Sequence, residues 1–254
     1  KYDLLARKGL LFELGLRAAR IYGQGSEFER LREYNTDDEF RRVDWAASAR
    51  AGKPIVRTYR PERNQSVVVL LDNGRLMAAK VRGVPRLEHA MDATIMLTAV
   101  ATGLGDKIGL VTFDQEVRSI IPPGRHRDQV TRVTEAMFEL NPVLAESDYS
   151  EAFRHTLARF RRRALLVILT DLASGPAADS LLPAMPLLTR NHLVVVGTVR
   201  DPSVTSWADD PADDVSQVYR KTAAVASLTE RDRTISRLQA LGVTVIDAVP
   251  GRLA

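Results

Sequence analysis

Hydrophobic positions along the chain fall into three regimes. Residues 3–21 place Leu4, Leu5, Leu11 and Leu14 at helical spacing with Arg and Lys between them, which predicts an amphipathic helix. Residues 22–65 are dense in charge and carry only scattered apolar anchors; Ile55–Tyr59 is the one short stretch with strand character. From residue 66 the rhythm changes. SVVVLLD (66–72) is an apolar run closed by an aspartate and predicts a buried strand. A helix is expected over 85–105, ending in glycines, then two strands over 106–114 and 116–121 joined by a tight turn. Helices follow over 125–140 and 149–160, then a strand over 162–171 that again ends on an aspartate. A helix over 177–190, a strand over 192–199, a helix over 212–241 and a strand over 243–249 complete the series. The stretch 200–215, with Pro202, Trp207 and Pro211, reads as a surface loop.

Strands alternate with helices, and the central strands show no period-two polarity. Such strands are covered on both faces, so the predicted class is α/β with a mainly parallel sheet and helices on each side. The pair over 106–121 is expected to add one antiparallel edge strand. Two parts are expected: residues 1–65, an N-terminal helix and charged segment packing on the main domain, and residues 66–254, the main domain.

Composition narrows the chemistry. The chain has 254 residues, a net charge of +4 and no cysteine. Thiol catalysis and thiolate metal sites are therefore excluded. The charge excess is small and no recognition motif accompanies it, so nucleic-acid binding is not expected. No run of about 18 apolar residues is present to span a bilayer. The start does not read as a signal peptide, and it begins at Lys1, so membrane attachment is expected only through an upstream anchor missing from this chain. The basic run Arg159–Arg163 sits at a helix end, where cations meet the negative end of the dipole, and Asp209, Asp210, Asp213 and Asp214 are expected to begin a helix, which the dipole also favours. Gly103–Gly109 follows a helix and precedes a strand, the reverse of a phosphate-binding loop, and reads as helix termination. The four histidines lack zinc-motif spacing, and no Gly-x-Ser-x-Gly elbow occurs.

The candidate site lies at two strand ends. Ligands of open α/β sheets bind beyond the carboxyl ends of the strands, and Asp72 and Asp171 both occupy such ends. Ser147, just ahead of a helix, is placed to reach the same crevice. Carboxylate and hydroxyl oxygens suit a hard cation such as magnesium, whereas an aspartate after a strand also serves as a simple cap.

The strand ends resemble a von Willebrand factor A-like domain, whose metal-ion-dependent adhesion site uses Asp-x-Ser-x-Ser after the first strand, a later hydroxyl and a second Asp. Here those positions read Asp72-Asn73-Gly74-Arg75-Leu76, then Ser147, then Asp171. Gly74 and Leu76 supply no side-chain oxygen. The resemblance therefore implies a degenerate metal site, with at most weak magnesium binding, no expected cofactor, and Arg75 as a candidate substitute charge. Upstream, Gly23-x-Gly25-x-Glu27-Phe28-x-x-Leu31-Arg32-x-Tyr34, then Arg41-Arg42-Val43-Asp44-Trp45 and Ser48-Ala49-Arg50, is similar to the signature of the bacterial domain-of-unknown-function family 58. One departure is Asp37-Asp38-Glu39 where that family has Gly-Asp-Asp. Acidic residues here, Asp38 and Asp44 among them, are expected to pair with arginines including Arg32, Arg50 and Arg57. Glu27, Phe28, Arg32, Tyr34, Arg41, Arg42, Asp44, Trp45 and Arg50 then form either a structural strap or a partner-docking surface.

The resemblance implies a non-enzymatic interaction module, an adaptor working with a MoxR-type AAA+ ATPase in complex assembly or maturation. It also implies a cytoplasmic location, at the membrane's cytoplasmic face if an anchor precedes. On this reading there is no catalytic residue. The alternative is a magnesium-dependent phosphoryl-transfer or hydrolytic enzyme using Asp72 and Asp171; the lack of a second acid at Gly74 counts against it.

Overall fold

A six-stranded sheet organises the larger part of the chain because its strands are apolar on both faces. The computed structural model describes residues 27–35, 38, 40, 43–60, 65–126, 128–172 and 176–250. The expected helix over 3–21, as well as Arg41 and Arg42, lies outside them; of Glu27 and Phe28 only the backbone is described. The chain divides into two units, residues 1–64 and 65–254.

In the first unit, β1 (Glu27–Glu33) pairs antiparallel with β2 (Ile55–Arg60), with Arg32 opposite Val56. The charge density of 22–65 hid β1: its composition offers no apolar run. Between them lies α1 (Trp45–Ala51), capped by Asp44, whose carboxylate accepts from the Ala47 amide at 3.0 Å.

In the second unit the sheet order is β10-β9-β8-β3-β6-β7. Its strands are β3 (Ser66–Asp72), β6 (Lys107–Phe113), β7 (Val117–Gly124), β8 (Leu165–Leu169), β9 (Leu193–Val199) and β10 (Thr244–Ala248). All pairings are parallel except β6 with β7, the expected antiparallel edge. A small hairpin of β4 (Lys80–Val81) and β5 (Val84–Pro85) precedes the first long helix.

Helices cover both faces. On one face α2 (Arg86–Leu104) and α3 (Gln129–Met137) enclose Val69, Leu71, Ile108, Leu110 and Leu169. On the other, α4 (Tyr149–Arg159), α5 (Pro176–Thr189) and the end of α7 (Val215–Ala240) enclose Leu70, Phe113, Leu166 and Ile168. Two buried cores explain the unbroken apolar strands. Helix α2 ends where the sequence predicts. Gly105 adopts the left-handed conformation (φ 83°) and its amide caps Ala101 and Thr102, so the glycine run is a terminator. The stretch 200–215 is not a plain loop. Asp201 caps a short helix, α6 (Pro202–Asp209), by accepting from the Ser203 amide, with proline in its first turn.

β3 is the point from which the chain order runs both ways, to β6 on one side and β8 on the other. The β3–β8 junction is thus the topological switch of the sheet, where a crevice opens beyond the strand ends.

Candidate functional site at the strand ends

Asp72, at the tip of β3, is 1% exposed and its carboxylate is fully engaged by the protein. Oδ1 accepts from the Gly74 amide at 2.8 Å and from the Ser147 hydroxyl at 2.5 Å. Oδ2 accepts from the Tyr149 phenol at 2.8 Å and the Thr170 hydroxyl at 2.6 Å. Four donors meet two oxygens, which fills the lone-pair positions of the group. Tyr149 is the first residue of α4, packed edge-on to Phe113 with ring centroids 5.6 Å apart. Burial first, then the Asp72 charge, pushes its phenol well above the ordinary value, so it remains a protonated donor.

Gly74 has no spare room. A Cβ there would lie 2.0 Å from Ser147 Oγ and 3.2 Å from Asp72 Oδ1. The Ser147 hydroxyl occupies the volume that a side chain at position 74 would need. The loop carrying it is tied to this turn by the Arg75 amide donating to Ala145 O at 2.9 Å, and the Val143 amide to Asn73 O at 2.8 Å.

Asp171, just past β8, is 2% exposed and meets cations instead. Oδ1 accepts from Arg231 at 3.0 Å and from the Thr198 hydroxyl at 3.3 Å; Oδ2 lies 3.6 Å from the Arg86 Nε. Arg231, from α7, is itself buried. It donates to Asp247 at 2.9 Å and 3.3 Å and to Thr198 at 2.8 Å. Arg200 closes the other side of Asp247 at 2.8 Å and 2.5 Å. Burial alone would raise the Asp247 carboxyl, but Arg231 and Arg200 outweigh it and hold it below its usual value. Burial likewise disfavours charge on Arg231, and its two carboxylate partners more than restore it.

Sequence reasoning placed Asp72, Gly74, Ser147 and Asp171 at one crevice; the structure joins the Gly74 amide and the Ser147 hydroxyl to Asp72, while Asp171 is bonded to a separate set of partners, Arg231, Thr198 and Arg86. Leu76 sits half-buried in a 3₁₀ turn over Arg75–Ala78. Arg75 does not supply the charge expected of it: its exposed guanidinium pairs with Glu146. Arg86 and Arg231 take that place, and they were missed together with Tyr149, Thr170, Thr198 and Asp247. The Thr170-Asp171 pair was the available signal for one of them, since alternate residues at a strand end face opposite sides.

A divalent cation of the kind the resemblance implies needs several oxygens turned toward an open position. The residues present do not fit one. The Asp72 oxygens are spent on four donors, Gly74 and Leu76 offer none, and Asp171 already faces two guanidiniums. Among the described residues no three His, Asp or Glu side chains are grouped to hold an ion.

In the first unit the signature residues separate into two sets. Arg32 forms a two-pronged pair with Asp38 at 2.5 Å and 2.7 Å, which also accepts from the Asn35 amide. Arg57 donates to Asp44 at 2.8 Å, and Lys53 pairs with Glu33. The Ala47 amide first, and Arg57 second, hold the Asp44 carboxyl below its usual value. These contacts shape the segment; exposed pairs of this kind stabilise little individually. The Tyr34 amide donates to Pro54 O at 3.0 Å. Trp45 is 62% exposed and Phe40 68%, their rings edge-to-face at 5.3 Å, and Arg50 is exposed nearby on α1.

Comparison with known proteins places this geometry. The model of the family described as "Protein of unknown function DUF58" matches residues 30–216. The uncharacterized protein Rv1480 of Mycobacterium tuberculosis is 26% identical over 184 residues, covering 72% of this chain and 57% of that protein. The chain thus spans little more than half the length of the curated relatives it matches. Among solved structures, the PilB minor pilin of Streptococcus sanguinis (a D319A mutant) superposes with a TM-score of 0.52 at 10% identity, covering 80% of this chain and 62% of that one. The von Willebrand A domain of SpRpn10 gives 0.44 at 13%, covering 74% and 89%. The PilB superposition shows a shared fold, a mainly parallel α/β sheet with helices on both faces.

Proposed function

The chain belongs to the DUF58 family, and on that premise we propose that it is a non-enzymatic protein-interaction module, an adaptor for a MoxR-type AAA+ ATPase. The observation that carries this reading is that the Asp72 carboxylate is filled by four of the protein's own donors and Asp171 is faced by two guanidiniums. A nucleophilic aspartate needs a free oxygen, and a metal ligand needs a free lone pair. Asp72 has neither, and Asp171 is committed to two guanidiniums. A crevice closed in this way presents a fixed surface, and a fixed surface suits recognition of another protein.

The exposed Trp45, Phe40 and Arg50 belong to the residue types that anchor protein interfaces, whereas the Arg32–Asp38 and Arg57–Asp44 pairs build the segment that displays them. We assign the docking role to the former set and the structural role to the latter. By the same resemblance, the domain works in the cytoplasm, held at the membrane where an anchor precedes it.

The test is titration of the purified chain against a MoxR-type ATPase of the same genome, with and without nucleotide and with EDTA. Saturable binding that survives EDTA and weakens in Trp45→Ala without loss of melting temperature supports the reading. Absence of binding in every nucleotide state overturns the choice of partner. Magnesium-dependent hydrolysis of a phosphate ester that is lost in Asp72→Ala overturns the non-enzymatic reading.

A further inference from the structure

Helix α7 is half core and half solvent, and its solvent side is not built like a solvent side. At 100° per residue, Ala224, Arg231, Thr234 and Leu238 mark the buried face. The opposite face carries Val215, Val218, Thr222 and Val225, flanked by Tyr219 and Ala226, all exposed. Val215 is 72% exposed, Tyr219 74%, Val218 51% and Val225 46%. Their three-four spacing is that of a two-helix seam. Over these turns the stripe holds no charge. The nearby cations are held to the flank by α6: Arg220 lies over the Trp207 ring at 5.5 Å and Lys221 donates to Asp210 O at 2.8 Å. A continuous apolar stripe of this length on a surface marks an association site.

The two ends of the stripe carry opposite charge. Asp209, Asp210 and Asp213 precede it. Arg233 and Arg237 extend it on the same outer face about two and three turns beyond; Glu230, to one side, pairs with Arg233 at 3.3 Å, and Asp232 lies on the other side. We propose that this face pairs with a second copy of the chain, the two α7 helices running antiparallel about a two-fold axis near Ala223. That arrangement brings the acidic start of each helix, with Asp213 just ahead of its cap, toward Arg233 of the other copy, while the apolar turns meet in the middle. A parallel pair would set acid against acid and base against base. Antiparallel pairing is isologous, so one patch complements itself and the assembly closes as a dimer. This surface is separate from the strand-end crevice and does not depend on the identity of any other partner.

Sedimentation velocity of the full chain over a concentration series tests it. A concentration-dependent dimer is expected, and Val218→Glu, at an exposed position that folding does not use, should weaken it by on the order of tenfold or more with an unchanged circular dichroism spectrum. The chain has no cysteine, so single cysteines report geometry cleanly. Thr222→Cys should cross-link on oxidation. Val215→Cys should not, because the paired positions lie about 24 Å apart along the axis. A chain that stays monomeric throughout the series, a dimer indifferent to Val218→Glu, or cross-linking through Val215→Cys in preference to Thr222→Cys overturns the proposal.

Discussion

Asp72 and Asp171 end neighbouring strands of one sheet and are equally buried, yet the protein stabilises them by opposite means. Asp72 is surrounded by neutral donors: one amide and three hydroxyls. Asp171 is surrounded by charge: Arg231 and Arg86, with Thr198 as the neutral exception. The difference follows from which elements reach each side. α4 begins beside β3 and delivers Tyr149 and Ser147 from one local turn. Asp171 faces the side where α7 and the start of α2 bring in arginines from sixty residues or more away in sequence. Hydroxyls and an amide satisfy a carboxylate without bringing a compensating charge, so the first site is a cradle of neutral donors. The second is an ion cluster whose members need one another.

That contrast predicts its own largest effect. Arg231→Met leaves Asp171 and Asp247 buried with their main partner gone and should cost about 3–5 kcal/mol of stability, measured by urea unfolding. Replacing only one carboxylate, Asp247→Asn, should cost less and should alter the acid limb. The folded pKa of Asp247 is depressed, so its contribution is complete above its unfolded value of about 3.9 and is lost as pH falls through the lower folded value. Wild type should therefore lose stability in that acid window, and Asp247→Asn should lose less. An unchanged acid limb in Asp247→Asn would place the acid sensitivity elsewhere.

The neutral site breaks differently, through space before charge. Gly74→Ser puts a Cβ 2.0 Å from Ser147 Oγ and should destabilise by about 1–3 kcal/mol. Adding Ser147→Ala removes the clashing oxygen and should recover most of the loss, measured as a double-mutant cycle. Tyr149→Phe should cost about 1–2 kcal/mol, because Asp72 keeps three donors when the phenol goes. If Tyr149→Phe equals Arg231→Met in effect, the distinction between a neutral cradle and an ion cluster fails.

The strand ends were legible because a buried parallel strand writes itself as an apolar run, and an aspartate closing that run is conspicuous. Ser147 was legible from its place just ahead of a helix, and the resemblance pointed to the same residue. Arg231 was hidden: in sequence it is one of several charged residues between Glu230 and Arg233, and nothing in that run distinguishes the buried one. Tyr149 reads as an ordinary helix-start aromatic until the fold sets its hydroxyl 2.8 Å from Asp72. β1 was missed for the opposite reason. EFERLRE has a single aliphatic residue, Leu31, which is 44% exposed, so no apolar run announces the strand that pairs with β2. Long-range pairing leaves no local signal, and it governs both the hidden parts of the site and the hidden strand.

The smallest effect sharpens the comparison most, because it asks whether either carboxylate retains a use for an ion. Magnesium that binds only the folded state raises stability by RT ln(1 + [Mg]/Kd). If neither carboxylate has an oxygen to offer, Kd lies at or above about 10 mM, and about 1 mM magnesium adds less than about 0.1 kcal/mol. A domain of this size then melts well within about 1 °C of its metal-free temperature. A rise of several degrees that disappears in Asp72→Asn would mean that Ser147, Tyr149 or Thr170 releases the carboxylate in solution. The neutral cradle would then be a latent cation site, and only the guanidinium-covered Asp171 would be closed.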